Sequence, residues 1–327
     1  MEVNEKNKNG KNLLFYLILK NNIEVVKLLI DYAIKNKIIL ELNEKDKNGL
    51  SPLLIALYNN NTEIIKLLIN YALKNNIILE LKEKSETGRY PLLVAIYYDN
   101  MEIVKLLIDY AVKNKIILEL DERHKFQLFP LLSIINHNNI EMLNFLIDCA
   151  NKDKIVILID KQVRSLLLYA TKRNNIELIK QLIDYANKNE LILDINENDD
   201  VGKYPLLYAS SNNNIEIVKQ LIDYANKNEI VLEINEFDSV GRNPLLYATL
   251  NNNIEIAKQL INYANKNEII LDINKNDDIG RYPFFEAIAN DNFDMTELLI
   301  NYVDKNNIIM KINERGDDDG NNPLLCA

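Results

Sequence analysis

The five letters PLLYA at residues 205–209 return unchanged at 244–248, with near copies opening at Pro52, Pro91, Pro130, Pro283 and Pro323. Taking the first letter as a slot, with Leu13 and Leu166 in place of proline, gives positions 13, 52, 91, 130, 166, 205, 244, 283 and 323. The steps are 39, 39, 39, 36, 39, 39, 39 and 40, all 7 prolines occupy the slot, and seven of the 8 glycines stand three residues before it. Self-similarity at such a period means stacked repeats: a unit this short cannot bury its own apolar face and closes its core only against a neighbour.

Residues 199–237 show what each unit should become. Asp199, Asp200, Val201 and Gly202 read as a turn, since Asp bonds its own downstream backbone and Gly supplies the positive φ that closes the bend. Pro205 opens a short helix at its first position, where its missing N–H has no helical partner to lose. Leu206, Leu207 and Ala209 give that helix an apolar side, and SNNN ends it. Asn213 sits where the chain reverses, and asparagine tolerates the left-handed conformation. Asn21, Asn60, Asn138, Asn174 and Asn252 hold the equivalent position, with Asp99 and Asp291 in the other two. A second helix starts near Ile215 and carries Ile215, Val218, Leu221, Ile222 and Ala225 as one buried stripe. Glu216 near its start and Lys227 near its end suit the helix dipole. The stretch EIVLEINE then predicts an extended arm running to the next turn.

The order of turn, Asp-x-x-Gly, Pro-Leu, Ala, short helix, reversal and then IEIVKQLI resembles the ankyrin repeat, whose familiar form carries T-P-L-H-x-A and a second helix reading like E-V-V-K-L-L. The resemblance covers the chain as units at about 7–45, 46–84, 85–123, 124–159, 160–198, 199–237, 238–276 and 277–316, with a partial ninth at 317–327. It implies one all-α array over residues 1–327, an ankyrin-like solenoid of stacked helix-turn-helix units with extended arms or turn fingers on one side. Three features depart from the familiar repeat. The period of 39 exceeds the usual value of about 33, and the additional residues lie between the YA of the second helix and the next turn. A lengthened second helix or a longer arm follows. The His of the familiar phrase is Leu54, Leu93, Leu132, Leu168, Leu207, Leu246, Phe285 or Leu325, with Phe15 in the first unit, so apolar packing should replace hydrogen bonds there. The Thr before proline becomes Ser51, Tyr90, Phe129, Tyr204, Asn243, Tyr282 or Asn322, which leaves the hydroxyl contact to Ser51 alone. The chain opens in what looks like the tail of a preceding unit and stops at Ala327 inside a first helix, as a piece of a longer product or a frayed half-unit would.

A net charge of −10 and a pI near 5.0 argue against a general nucleic-acid binder, because phosphate neutralisation needs a basic face. Cys149 and Cys326 give neither a disulfide framework nor a metal-ligand spacing, and a reducing compartment fits them best. The first twelve residues hold no signal-peptide core, and the apolar run at 13–19 is too short to cross a bilayer. The expectation is a soluble cytoplasmic protein with no membrane contact. The glycosylation tripeptide Asn60-Asn61-Thr62 has no secretory route to support it.

Candidate chemistry is sparse. His124 occupies the Asp slot of a degenerate turn and His137 the exposed end of a first helix, and neither has a nucleophile or metal partner beside it in sequence. The acidic turns NENDD, NKNDD and RGDDDG lack the glycine and closing glutamate of a calcium loop and read as Asx turns. Cys149 aligns with Tyr32, Tyr71, Tyr110, Tyr185, Tyr224, Tyr263 and Tyr302 as one variant in a tyrosine ladder built for packing. No phosphate-binding loop, dinucleotide fingerprint, nucleophile elbow or zinc-protease motif occurs, so the reading is not an enzyme, with no cofactor and no metal.

What remains is surface. In arrays of the family it resembles, turn tips and the exposed end of the first helix line a concave side that meets partners. The slots that vary within this chain put Tyr58, Arg89, Tyr97, Tyr98, Lys125, Phe126, His137, Arg164, Lys172 and Arg173 there, residue types that dominate interfaces when central. The same stretch breaks the repeat: Gln127 and Val163 replace the turn glycine, Leu166 the proline, and one unit is three residues short. Drift in a tolerant array is one reading; a basic and aromatic pocket for an acidic segment of a partner protein is the other. The functional expectation is a protein-protein interaction scaffold or adaptor. Its rivals are the substrate-recruiting region of a larger enzyme or ubiquitin-ligase-type assembly, and a spacer without a ligand.

Overall fold

A computed structural model describes residues 3–121, 130–152, 154–158 and 166–312. The sequence expectations for His124, Lys125, Phe126, Arg164, RGDDDG and the partial unit 317–327 lie outside the described residues. The chain divides into two compact units, Met1–Val163 and Arg164–Ala327, and the division falls in the stretch where the repeat is irregular.

In the first unit, short helices α1 (Leu13–Leu19), α3 (Pro52–Tyr58), α5 (Pro91–Tyr97) and α7 (Pro130–His137) alternate with long helices α2 (Ile23–Lys35), α4 (Thr62–Lys74), α6 (Met101–Lys113) and α8 (Ile140–Asn151). Two strands, β1 (Leu118–Asp121) and β2 (Ile155–Leu158), complete it. The second unit repeats the alternation with α9 (Leu166–Lys172), α11 (Pro205–Ser211), α13 (Pro244–Leu250) and α15 (Pro283–Ala289) as the short helices. Its long helices are α10 (Ile176–Lys188), α12 (Ile215–Lys227), α14 (Ile254–Lys266) and α16 (Phe293–Lys305). Within each unit a short helix packs on its own long helix and on the short helix of the next repeat, while long helices pack on long helices. The described residues form the all-α helical repeat that the period implies.

Local chemistry explains each boundary. Asp199 Oδ1 accepts the N–H groups of Val201 (3.2 Å) and Lys203 (3.0 Å), and Gly202 takes φ 74°, so the Asx turn forms as read. Asn213 adopts φ 57°, and Asn214 caps α12 by accepting the Ile217 N–H at 3.2 Å. The long helix ends at Lys227, and Ile230 N–H closes back on the Ala225 carbonyl at 2.9 Å. That closure puts Glu229 at φ 55°, a left-handed position that sequence reasoning did not place. The buried stripe is also wider than expected: Ile217 and Tyr224 are buried and Ile215 only half-buried, because a stacked long helix meets its own short helix and long neighbours on either side.

In the slot before the short helix, Ser51 keeps the hydroxyl contact, its Oγ accepting the Leu54 N–H, while the amide oxygens of Asn12 and Asn243 cap Phe15 and Leu246 in its stead. Tyr204 and Tyr282 instead send their hydroxyls to the carbonyls of Glu236 (3.0 Å) and Lys311 (2.7 Å), tying a helix start to the arm that follows. Leu54, Leu93, Leu207, Leu246 and Phe285 are buried, which fits the apolar replacement of His; Leu132 is half-buried. Each fully buried Leu or Ile contributes roughly 1.5–3 kcal/mol.

Candidate functional site

Most of the invariant slots hold neighbouring repeats together. The hydroxyls of Tyr71, Tyr110, Tyr224, Tyr263 and Tyr302 accept the N–H groups of Leu40, Leu79, Leu193, Leu232 and Leu271, so each long helix clips the arm of the repeat before it. The tyrosine ladder is therefore packing with a hydrogen bond added. Arms are joined to arms by asparagine: Asn43 Nδ2 donates to Ile78 O at 2.7 Å while its Oδ1 accepts Glu80 N–H at 3.1 Å. Asn196, Asn235 and Asn274 repeat that clamp in the second unit. Where Lys82 and Asp121 occupy the clamp slot and Cys149 the tyrosine slot, β1 and β2 pair directly as parallel strands. Cys149 is buried, and burial pushes its thiol up, away from reactivity. At the reversals a third ladder runs, in which Asn61, Asn100, Asn139, Asn214 and Asn253 each donate to the left-handed Asn or Asp of the preceding repeat.

The turn side of the second unit carries a different pattern. Asp199 Oδ2 accepts the Tyr208 hydroxyl at 2.6 Å and pairs with Lys172 at 3.2 Å, while Lys172 lies 5.4 Å from the Tyr208 ring centre. One repeat on, Asp238 Oδ2 accepts the Tyr247 hydroxyl at 2.6 Å and faces Lys203 at 3.8 Å, with Lys203 over the Tyr247 ring at 4.9 Å. Next, Asp277 Oδ2 accepts Arg242 Nε at 3.2 Å and Arg281 Nη2 at 2.9 Å. Burial alone would raise the Asp199 carboxyl, but hydrogen bonds from Tyr208, the Lys203 amide and Lys172 outweigh it and hold the carboxyl below its usual value. Contacts to Tyr208 and Asp199 push the Lys172 ammonium up. Every cation in this row is answered by a carboxylate. Sequence reasoning missed the row, although its signal is present: PLLYA puts a tyrosine nine residues after the turn aspartate.

The first unit departs from this at its third repeat. Ser85 stands where the other turns hold Asp46, Asp199, Asp238 or Asp277; its Oγ accepts the Arg89 N–H at 3.2 Å and lies 2.9 Å from Thr87 Oγ1. The turn is thus closed without charge. The Arg89 guanidinium carbon sits 5.6 Å from the ring centres of both Tyr58 and Tyr97. Tyr97 and Tyr98 meet edge to face at 5.4 Å and are 43% and 38% exposed. His137 Nε2 lies 3.1 Å from the Tyr97 carbonyl, in the slot where Asn59, Asn212, Asn251 and Asn290 donate to a carbonyl one residue earlier in the repeat before. No carboxylate of the described residues pairs with Arg89, and its Nε is buried with no hydrogen-bond partner among them.

Five of the residues singled out from sequence, Tyr58, Arg89, Tyr97, Tyr98 and His137, are therefore brought together. Lys172 and Arg173 belong to the second unit, where Lys172 is already engaged by Asp199 and Tyr208. The described helices include none long and apolar enough to cross a membrane. The family model described as ankyrin repeats (3 copies) matches residues 1–77, 32–117 and 167–270. A search of the curated proteins found no match.

Proposed function

The chain belongs to the ankyrin repeat family, and from that premise we propose that it is a protein-binding scaffold whose turn tips and first-helix ends meet the partner, with binding and release and no turnover. Ankyrin repeats generally mediate protein-protein interaction. One observation supports placing the contact on this side: tyrosine clips, asparagine clamps and the reversal ladder engage the invariant slots internally, whereas Tyr97 and Tyr98 are exposed beside a paired tyrosine and arginine. Exposed aromatics next to an arginine are the residues that carry interface energy. The same surface, as part of this proposal, is the concave face of the array.

The test compares full-length chains. Tyr97→Ala with Tyr98→Ala should remove capture of a partner from cell extract and leave the melting transition in place. Ile78→Ala, at an exposed arm position away from the turns, should leave capture intact. Capture that survives the tyrosine changes, or falls equally with the arm change, rejects this surface.

A further inference from the structure

We propose that Arg89, held between the rings of Tyr58 and Tyr97, reads a side-chain carboxylate in an acidic segment of the partner protein; this rests on the protein-binding reading above. The repeat itself supplies the comparison. Lys11, Arg89, Lys203 and Arg242 share one slot. Lys11 faces Asp46 at 3.6 Å, Lys203 faces Asp238 at 3.8 Å, and Arg242 donates to Asp277 at 3.2 Å, in each case the turn residue of the following repeat. For Arg89 that following turn residue is His124, and its own turn residue is Ser85. Both places from which the fold draws an acid have lost it, and the cation remains.

The surroundings favour retention of a guanidinium over any other cation. Two rings lie 5.6 Å from its guanidinium carbon, which holds it in position and keeps water from its N–H edge. That edge matches a carboxylate bidentately. The Nε, buried without a partner among the described residues, is a donor whose desolvation is offset only when an acceptor arrives. Among the described residues no second cation lies over these two rings, so the charge suits a monoanionic carboxylate better than a phosphate dianion. The chain's net charge of −10 repels acidic segments elsewhere, which confines them to this point.

The experiment follows the Nε–Hε resonances of the seven arginines in the full-length, 15N-labelled chain. Probes at matched ionic strength are an acetylated, amidated hexaglutamate peptide, its glutamine counterpart, a neutral peptide with a free C-terminus, and inorganic phosphate. The Arg89 resonance should shift saturably with the glutamate peptide alone, and Arg242 should stay still. Arg89→Leu, which follows the protein's own Leu50 in that slot, and Ser85→Asp, which restores the internal acid, should each weaken the glutamate peptide by roughly tenfold or more, about 1.4 kcal/mol, with melting unchanged. An Arg89 signal that stays still, moves no more than Arg242, or follows phosphate or the free C-terminus overturns the proposal. So does self-association of the chain that Arg89→Leu abolishes, since a second copy would then occupy the site. If extract capture depends on Tyr97 and Tyr98 while Arg89 ignores glutamate, only the carboxylate assignment falls. If Arg89 binds glutamate but no partner depends on the tyrosines, the interaction reading falls and takes this one with it.

Discussion

The turns at 85–91 and 238–244 share one framework and differ in the ownership of their arginine. Tyr110 clips the arm before the first turn as Tyr263 clips the arm before the second, and Pro91 and Pro244 open short helices alike. Arg242 is held by Asp277 and lies 5.8 Å from the Tyr247 ring, so its charge is spent inside the protein. Arg89 lies between two tyrosines and meets no carboxylate of the described residues. On the proposal above, one slot serves either cohesion or recognition, and the switch between them is the residue at the turn's acidic position. A repeat array can move a side chain from one task to the other by a single change that leaves packing untouched.

The largest expected effect comes from removing an acid where the fold uses it. The Asp277 side chain is 1% exposed; its Oδ1 accepts the Ile279 and Arg281 N–H groups, and its Oδ2 receives both arginines. Asp277→Ala strands Arg242 and two amides and leaves Arg281 only Glu286 at 3.7 Å, and should cost about 3 kcal/mol. Ser85→Ala removes one neutral acceptor and should cost about 1 kcal/mol. Local hydrogen exchange at residues 279 and 281, against residue 89, reads both without assuming two-state unfolding of the array. Equal costs would break the contrast between the turns.

The shared half of the comparison is sharpened by the tyrosines. Tyr110→Phe and Tyr263→Phe each remove a hydroxyl that accepts from an arm (Leu79 N at 3.0 Å, Leu232 N at 2.9 Å) and donates to it (Ile77 O at 3.0 Å, Ile230 O at 3.3 Å). Each should cost about 1 kcal/mol, visible as faster exchange at residues 79 and 232. Tyr32, 54% exposed, should tolerate the same change without loss. Unequal costs at 110 and 263 would show that the two repeats do not share a framework after all.

How much of this was legible in the sequence depends on how far a residue's partner lies from it. Pro205 and Gly202 act within a few residues of themselves, and the short helix began where they said. Glu229 did not announce its left-handed φ of 55°, because the closure of the helix end imposes it and neither glycine nor asparagine marks the spot. Lys37, Lys115, Glu190 and Glu268 are forced in the same way. The Asn196 clamp acts on residues 35 and 37 positions further on, so no local window shows it. The variable slots picked out Tyr58, Arg89 and Tyr97, three residues that lie against one another. What escaped notice was the informative residue beside them, Ser85, since a missing charge matters only once Asp238 and Asp277 are seen at work. The Lys172 expectation treated as free a charge that Asp199 and Tyr208 hold.

Acid should separate the two kinds of turn more gently. The Asp199 carboxyl is held below its unfolded value of 3.8, so its contribution is fully present above that value and is lost as pH falls through the lower folded value. Asp199→Asn keeps the turn acceptor, as Asn7 shows at the same slot by accepting from Asn9 and Lys11, and removes only the charge. The stability difference between this variant and the native chain should hold constant well above 3.8 and shrink as pH falls below it. Ser85→Thr, with no titrating group on either side, should show a difference independent of pH. A pH-dependent gap at residue 85 would mean that its turn carries a charge after all.

The smallest effect lies on the arms that lead into the two turns. Lys45 pairs with Glu83 at 2.6 Å and lies 3.7 Å from Glu80, whereas Asn198 holds the lysine's place relative to Glu233 and Glu236 before the second turn. Burial and then the like charges of Glu236 and Asp194 push the Glu233 carboxyl up. A raised acid reverses the sign of the Asp199 case: the charged form destabilises, so stability rises as pH falls through the folded value. Glu233→Gln should therefore stabilise the second unit by a few tenths of a kcal/mol at neutral pH and low salt, and Glu80→Gln should weaken the first by no more than that, both fading as salt screens them. If the two changes moved stability in the same direction, the charge difference between the units would be confined to their turns, and Arg89 would stand out against a background that is otherwise uniform.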